Sequence, residues 1–335
     1  MRITLRTLGG TRMRMLGLIV GGLLASTGSV VTGEEPAAKP PHVVFITGDE
    51  EYRSEESLPM LAKILDKTHG FRVSVCYATD PDGSINPDNL KNIAGLEALD
   101  DADLMVMFTR FRKLPDDQLE RITRYAESGK PMVGFRTASH AFRYDGGPHA
   151  AEMNEQWTRK VFGQKWITHH GHFGDGKEML TAVTINPPAA QHPTLRGVSP
   201  FETYSWLYHV EGGGDTLSDS PEKLLIGRAL KSGHSKEADR FPLTNPVAWT
   251  KTYTGKSGKP ARVFFTTLGH PFDFKQESMR KLALNGVFWA LGLEEKIPAD
   301  GVKADFVEPY EPNNSGNTKY KKGLKPVYLE TGSKP

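Results

Sequence analysis

The sequence predicts an α/β protein built on a mostly parallel sheet flanked by helices on both faces. Three observations predict it. Short apolar runs at 42–47, 71–77, 103–108 and 131–135 read as strands. Segments with apolar residues at helical spacing lie between them. Glycine and proline punctuate the joins, at Gly48, Gly70, Pro115 and Gly129. Strand and helix in alternation imply parallel neighbours, because a parallel pair needs a crossover rather than a hairpin.

The first run is continuously apolar, as a strand buried on both faces should be. Leu58, Leu61, Ile64 and Leu65 then share one helical face, and Gly70 stops that helix. Phe71, Val73, Val75 and Tyr77 alternate as a second strand, and 103–108 makes a third. Pro115 opens a helix bearing Leu119, Ile122 and Tyr125, which Gly129 ends before the strand at 131–135. The second half is less regular. A helix with Trp157 and Val161 ends at Gly163, and strand-like runs follow at 179–185, 223–230, 246–253 and 262–268. A last amphipathic helix carries Met279, Leu282, Leu284, Val287, Phe288 and Leu291. The 294–335 stretch is rich in Pro, Lys, Gly and Asn and reads as an irregular tail.

The chain has 335 residues and a formal net charge of +2 with its basic residues dispersed, which argues against a nucleic-acid partner. Residues 1–33 have the pattern of a secretory signal peptide. Arg2, Arg6, Arg12 and Arg14 precede an apolar stretch at 15–24 and a run of small residues. A polar linker, 34–41, follows. The expectation is an exported protein, periplasmic or secreted, with no stable membrane span once the leader is removed. Cys76 is the single cysteine, so no intramolecular disulfide forms, and its apolar surroundings suit a buried, inert thiol.

In a parallel sheet, ligands sit beyond the carboxyl ends of the strands. After the first strand come Asp49, Glu50, Glu51 and Tyr52, acids suited to sugar hydroxyls, proton transfer or a cation. A helix N-terminus would equally favour such acids. After the fourth strand, Gly134-Phe135-Arg136-Thr137-Ala138 has the shape of a nucleophile elbow, with Arg136 at its tip and His140 close behind. Arginine has no free lone pair, so it can clamp an oxyanion or pair with the acids but cannot attack. His170 and His172 project to one side of an extended segment, a spacing that could ligate zinc or another divalent transition metal given a third ligand. Glu202, Tyr204, Trp206 and Tyr208 alternate along one strand face, an aromatic surface suited to a sugar ring or to ordinary packing. His270 ends a late strand between Gly269 and Pro271 and is a candidate general base.

With Thr47-Gly48, the elbow at Gly134, His192-Pro193, Leu207-Tyr208 and the 265–270 segment Phe-Thr-Thr-Leu-Gly-His, the chain resembles the trehalose-utilisation (ThuA-like) family over 42–293. The resemblance implies a glutamine-amidotransferase-like, flavodoxin-like three-layer domain. Arg136 stands where true amidotransferases have cysteine, so glutamine hydrolysis is not expected. It also implies carbohydrate catabolism, with a sugar or 3-keto-sugar as the small-molecule partner. On this reading His270, Arg136 and Glu50 are catalytic. Asp49, Glu51, Tyr52, Thr137, His140, Trp206 and Tyr208 bind substrate. The alternatives are a carbohydrate-binding protein without turnover and an assembly module. Oligomerisation stays open.

Overall fold

The computed structural model describes residues 39–171 and 177–327. The expected leader and His172 lie outside these. Five parallel strands form the centre of a ten-stranded sheet: β1 (His42–Gly48), β2 (Arg72–Ala78), β4 (Leu104–Thr109), β5 (Met132–Phe135) and β12 (Pro260–Thr266). The short β3 (Ile93–Ala94) closes one edge. On the other side follow β11 (Thr244–Thr254), β10 (Glu222–Ala229), β7 (Thr181–Ile185) and β8 (Phe201–Thr203), all antiparallel. The order is β3-β2-β1-β4-β5-β12-β11-β10-β7-β8. A separate two-stranded ribbon joins β6 (Thr168–His169) to β9 (Tyr208–His209).

Strand period explains the three layers. Along β1, Val43 and Phe45 enter one apolar core while Val44 and Ile46 enter the other. The first core packs under α1 (Ser54–His69) and α5 (Glu277–Ala290) through Leu58, Leu61, Leu65, Met279, Leu282 and Phe288. The second packs under α2 (Asp116–Glu127) and α4 (Thr158–Phe162) through Leu119, Ile122, Val161 and Phe162. A single helical turn, α3 (Ala150–Glu152), runs through a π turn at Met153–Trp157 into α4. Acids open α1 (Glu55, Glu56) and α2 (Asp116, Asp117), where the helix dipole favours them. Gly70 ends α1 at φ 70°, and its amide donates to Asp66.

The stretch expected as one strand with Glu202, Tyr204, Trp206 and Tyr208 on a face is instead broken. β8 ends at Thr203 and β9 begins at Tyr208. The cause is Asp273, which accepts from the Tyr204 amide (2.8 Å) and the Ser205 hydroxyl (2.5 Å) and bends the chain between them. After α5 the only regular element among the described residues is a 3-10 turn at Glu294–Lys296. Even so, Val302, Ala304 and Tyr310 are buried in the first core.

Strand order reverses between β1 and β4: β2 lies on one side of the pair and β5 on the other. In open α/β sheets such a switch point leaves a crevice at the strands' carboxyl ends.

Candidate functional site

The loop after β1 is a tight, self-bonded turn. The Gly48 and Asp49 amides donate to Ser54 Oγ (3.0 and 3.1 Å), and Asp49 Oδ1 accepts from the Glu51 and Tyr52 amides (2.7 and 2.8 Å). Thr137 donates to Asp49 Oδ2, tying this loop to the one after β5. Asp49 and Thr137 are both fully buried, so their side chains hold the rim together. Glu50 pairs with Arg110 and, at 3.0 Å, with Arg112. Glu51 pairs with Arg110 at 3.1 Å. This last pair sits at the switch point, one residue from β1's loop and one from β4's.

After β5 the chain makes the expected elbow. Arg136 has φ 42°, a left-handed conformation that non-glycine residues rarely adopt, and a 3-10 turn (Arg136–His140) follows at once. Gly134 is required just before it, since a Cβ there would come within 2.6 Å of the Phe265 ring. The Arg136 side chain is fully buried. Its guanidinium lies over the rings of Tyr52 (4.1 Å) and Tyr208 (4.6 Å), and Nη1 donates to the Thr267 carbonyl (2.8 Å). Such desolvated cation–π contacts contribute about 2 kcal/mol. Nε and Nη2 make no well-formed hydrogen bond among the described residues, although the Tyr52 hydroxyl interacts with the guanidinium.

A cavity of about 80 Å³ opens above this point, lined by Glu51, Tyr52, Arg110, Phe111, His140, Trp166, His169, Trp206 and Tyr208. Four elements build it: the loops after β1, β4 and β5, and the β6–β9 ribbon, which sets His169 opposite Tyr208. His169 stacks on Trp206 with centroids 4.3 Å apart. Gly171 permits this, because a Cβ there would lie 2.1 Å from the Trp206 ring. Burial pushes the Glu51 carboxyl upward, and Arg110 pulls it partly back. Burial, reinforced by Arg110 and Arg136, holds His140 well below the usual imidazole range. His169 is held down to about 4, by burial first and Arg136 next.

The tautomer of His140 follows from its neighbours. Ser139 Oγ donates to the Arg136 carbonyl (3.0 Å), so its one hydrogen is used. The 3.1 Å contact to His140 must then be Nδ1–H donating to Ser139 Oγ. Nε2 is left with a lone pair and no hydrogen-bond partner among the described residues.

Of the residues expected at the site, Glu51, Tyr52, His140, Trp206 and Tyr208 line the cavity. Asp49, Glu50, Arg136 and Thr137 lie behind it. His270 is at the same rim but sealed. Its Nδ1 accepts from the Phe272 amide (3.2 Å), so Nε2–H donates to Ser315 Oγ (3.0 Å), and neither nitrogen is free. His170 is buried with Nδ1 on Ser232 Oγ (2.7 Å). Among the described residues no group of three or more His, Cys, Asp or Glu side chains is placed to hold a metal ion, and His172, the other half of the candidate pair, lies outside them. Arg110 and Phe111 were legible in principle, since they directly follow a strand end. Trp166 and His169 arrive through the ribbon, for which local sequence has no signal.

A larger depression, about 1120 Å³, lies beside β11 and is lined by Asp219, Lys251, Arg262 and Trp289 among others. It lies away from the parallel strands' carboxyl ends, and two of its cations are engaged: Lys251 with Asp219 (2.7 Å), Arg262 with Glu294 (2.8 Å). The small cavity is therefore the stronger candidate, since polar groups with perturbed protonation converge there.

Residues 42–290 match the family model described as ThuA, trehalose utilisation. Among solved structures, a ThuA-like protein from Bacteroides uniformis aligns at 15% identity and TM-score 0.49, over 77% of this chain and 94% of that one. A ThuA-like protein from Parabacteroides merdae aligns at 18% and 0.48, over 84% and 98%. No curated protein matches. Among the described residues no helix is long and apolar enough to cross a membrane.

Proposed function

The chain belongs to the ThuA family, associated with trehalose utilisation, and from that premise we propose that it is an enzyme acting on a sugar or 3-keto-sugar by acid/base chemistry in the cavity at the switch point. The observation that carries this is the free Nε2 lone pair of a neutral His140, on the same cavity wall set as Glu51 and Arg110. Aromatic walls suit the C–H faces of one sugar ring, and the small volume suits one ring rather than a disaccharide held whole. In this reading His140 takes a proton from a carbon or hydroxyl next to a carbonyl. Arg110 donates to the oxygen that gains negative charge. Glu51, whose burial favours its protonated form, handles the second proton. His270 and Arg136 take no part in bond-making.

Turnover of trehalose and its 3-keto derivative, followed by product chromatography, tests this. Glu51→Gln and His140→Ala should each lower the rate by about 10²-fold or more while calorimetric binding persists. Rates equal to the unaltered protein's in both variants would refute the assignment. The aromatic share of the walls favours a second reading, a carbohydrate-binding protein without turnover, and binding of either sugar with no product would support it.

A further inference from the structure

We propose that Arg136 is a positioning residue for the cavity: a buried cation that clamps Tyr52 and Tyr208 from behind and never touches the ligand. The inference rests on the cavity being the site, and it assigns a task to the one elbow residue that the proposed chemistry leaves unused. Arg136 is fully buried, whereas both tyrosines reach the cavity wall. The guanidinium is in contact with both rings, at 4.1 and 4.6 Å. It is also anchored, since Nη1 donates to the Thr267 carbonyl at 2.8 Å and the backbone is locked at φ 42°. Tyr52 comes from the β1 loop and Tyr208 from the ribbon, so one planar cation joins two otherwise separate walls.

Two features point to arginine in particular. A planar, delocalised cation can present flat faces to aromatic rings, which an ammonium cannot. Its Nε and Nη2 make no well-formed hydrogen bond among the described residues, so the buried guanidinium draws on the two rings and on the Tyr52 hydroxyl for stabilisation. The same charge faces the acid/base groups. Arg110 and Arg136 both hold His140 down, with His169 adding to them, and Arg136 offsets part of the burial that raises Glu51. Gly269 fits the arrangement: a Cβ there would lie 3.2 Å from Arg136 Cβ, and its φ of 148° already favours glycine.

The test needs no substrate, so its failure is distinguishable from failure of the enzymatic reading. Imidazole NMR of the full chain follows His140 against pH in the unaltered protein, in Arg136→Met and in Arg136→Lys. In Arg136→Met, His140 should titrate at a higher pH, because a like charge has gone. Arg136→Lys keeps the charge, so His140 should stay low, while the Tyr52 and Tyr208 ring resonances broaden or shift as the flat clamp is lost. In Arg136→Met, Tyr52 and Tyr208 ring resonances identical to the unaltered protein's overturn the proposal. If that variant does not fold, Arg136→Lys decides alone, and tyrosine resonances identical to the unaltered protein's overturn it.

Discussion

Asp49 shows how a single side chain sets the geometry of the residues that follow. Its carboxylate accepts from two successive amides and from Thr137, and so fixes the direction in which Glu51 and Tyr52 leave the rim. The same side chain joins the loops after β1 and β5. Asp49→Ala would leave two amides and a hydroxyl unpaired in a buried setting. A hydrogen bond to a charged acceptor contributes about 1.5–3 kcal/mol, and three coupled ones do not add fully. We expect a loss of about 3–4 kcal/mol in urea unfolding, with Asp49→Asn losing roughly half of that. A change within about 0.5 kcal/mol for Asp49→Ala would mean that the turn holds itself without the carboxylate.

At the scale of elements, the parallel half was legible because its signals are local. Buried runs such as 42–47, helical stripes such as Leu58–Leu61–Leu65, and stops such as Gly70 all act within a few residues. The break between β8 and β9 was not, because Asp273 imposes it from some 70 positions away. The same division holds for the cavity. Glu51, Tyr52 and His140 follow from strand-end position. His270 also follows a strand end, but distant Ser315 closes it off. That contact belongs to the described part of the tail, 294–327, which has almost no regular structure and a definite place. The Gly316 amide donates to the Glu51 carbonyl (2.7 Å), its carbonyl accepts from Arg53 (3.1 Å), and Lys321 reaches Glu56 (2.5 Å). Ending the chain after Pro312 keeps Tyr310 in the core and removes these contacts. We expect that shortened protein to fold with a Tm lower by about 5 °C or more. In the proposed reading it should also bind a sugar more weakly, since Glu51 loses its backbone anchor. An unchanged Tm and unchanged calorimetric affinity would show the segment to be an ornament on the rim.

Across the whole molecule, the carboxyl edge of the sheet and its surroundings gather imidazoles that burial keeps neutral. His169, His170 and His270 are each held down to about 4, and His140 lies well below the ordinary range, with desolvation the largest cause in every case. An unfolded chain titrates these groups near 6.5, so between about pH 6.5 and 4 it binds more protons than the folded one. Their contribution is therefore complete above about pH 6.5 and is lost as the pH falls towards 4. One pH unit of depression corresponds to about 1.4 kcal/mol, so even partial expression at three sites amounts to several kcal/mol. Glu55 works in the other direction. Burial raises it to about 8, so its stabilising protonation is lost between about pH 4.5 and 8. The imidazoles outnumber Glu55 and the likewise raised Glu50 and Glu51, and the urea midpoint should fall from pH 7 to pH 4.5. His170→Gln can still bond Ser232 but cannot take up a proton, so it should make that fall shallower. A midpoint that stays level over this range would mean that these imidazoles reach water more readily than their burial implies.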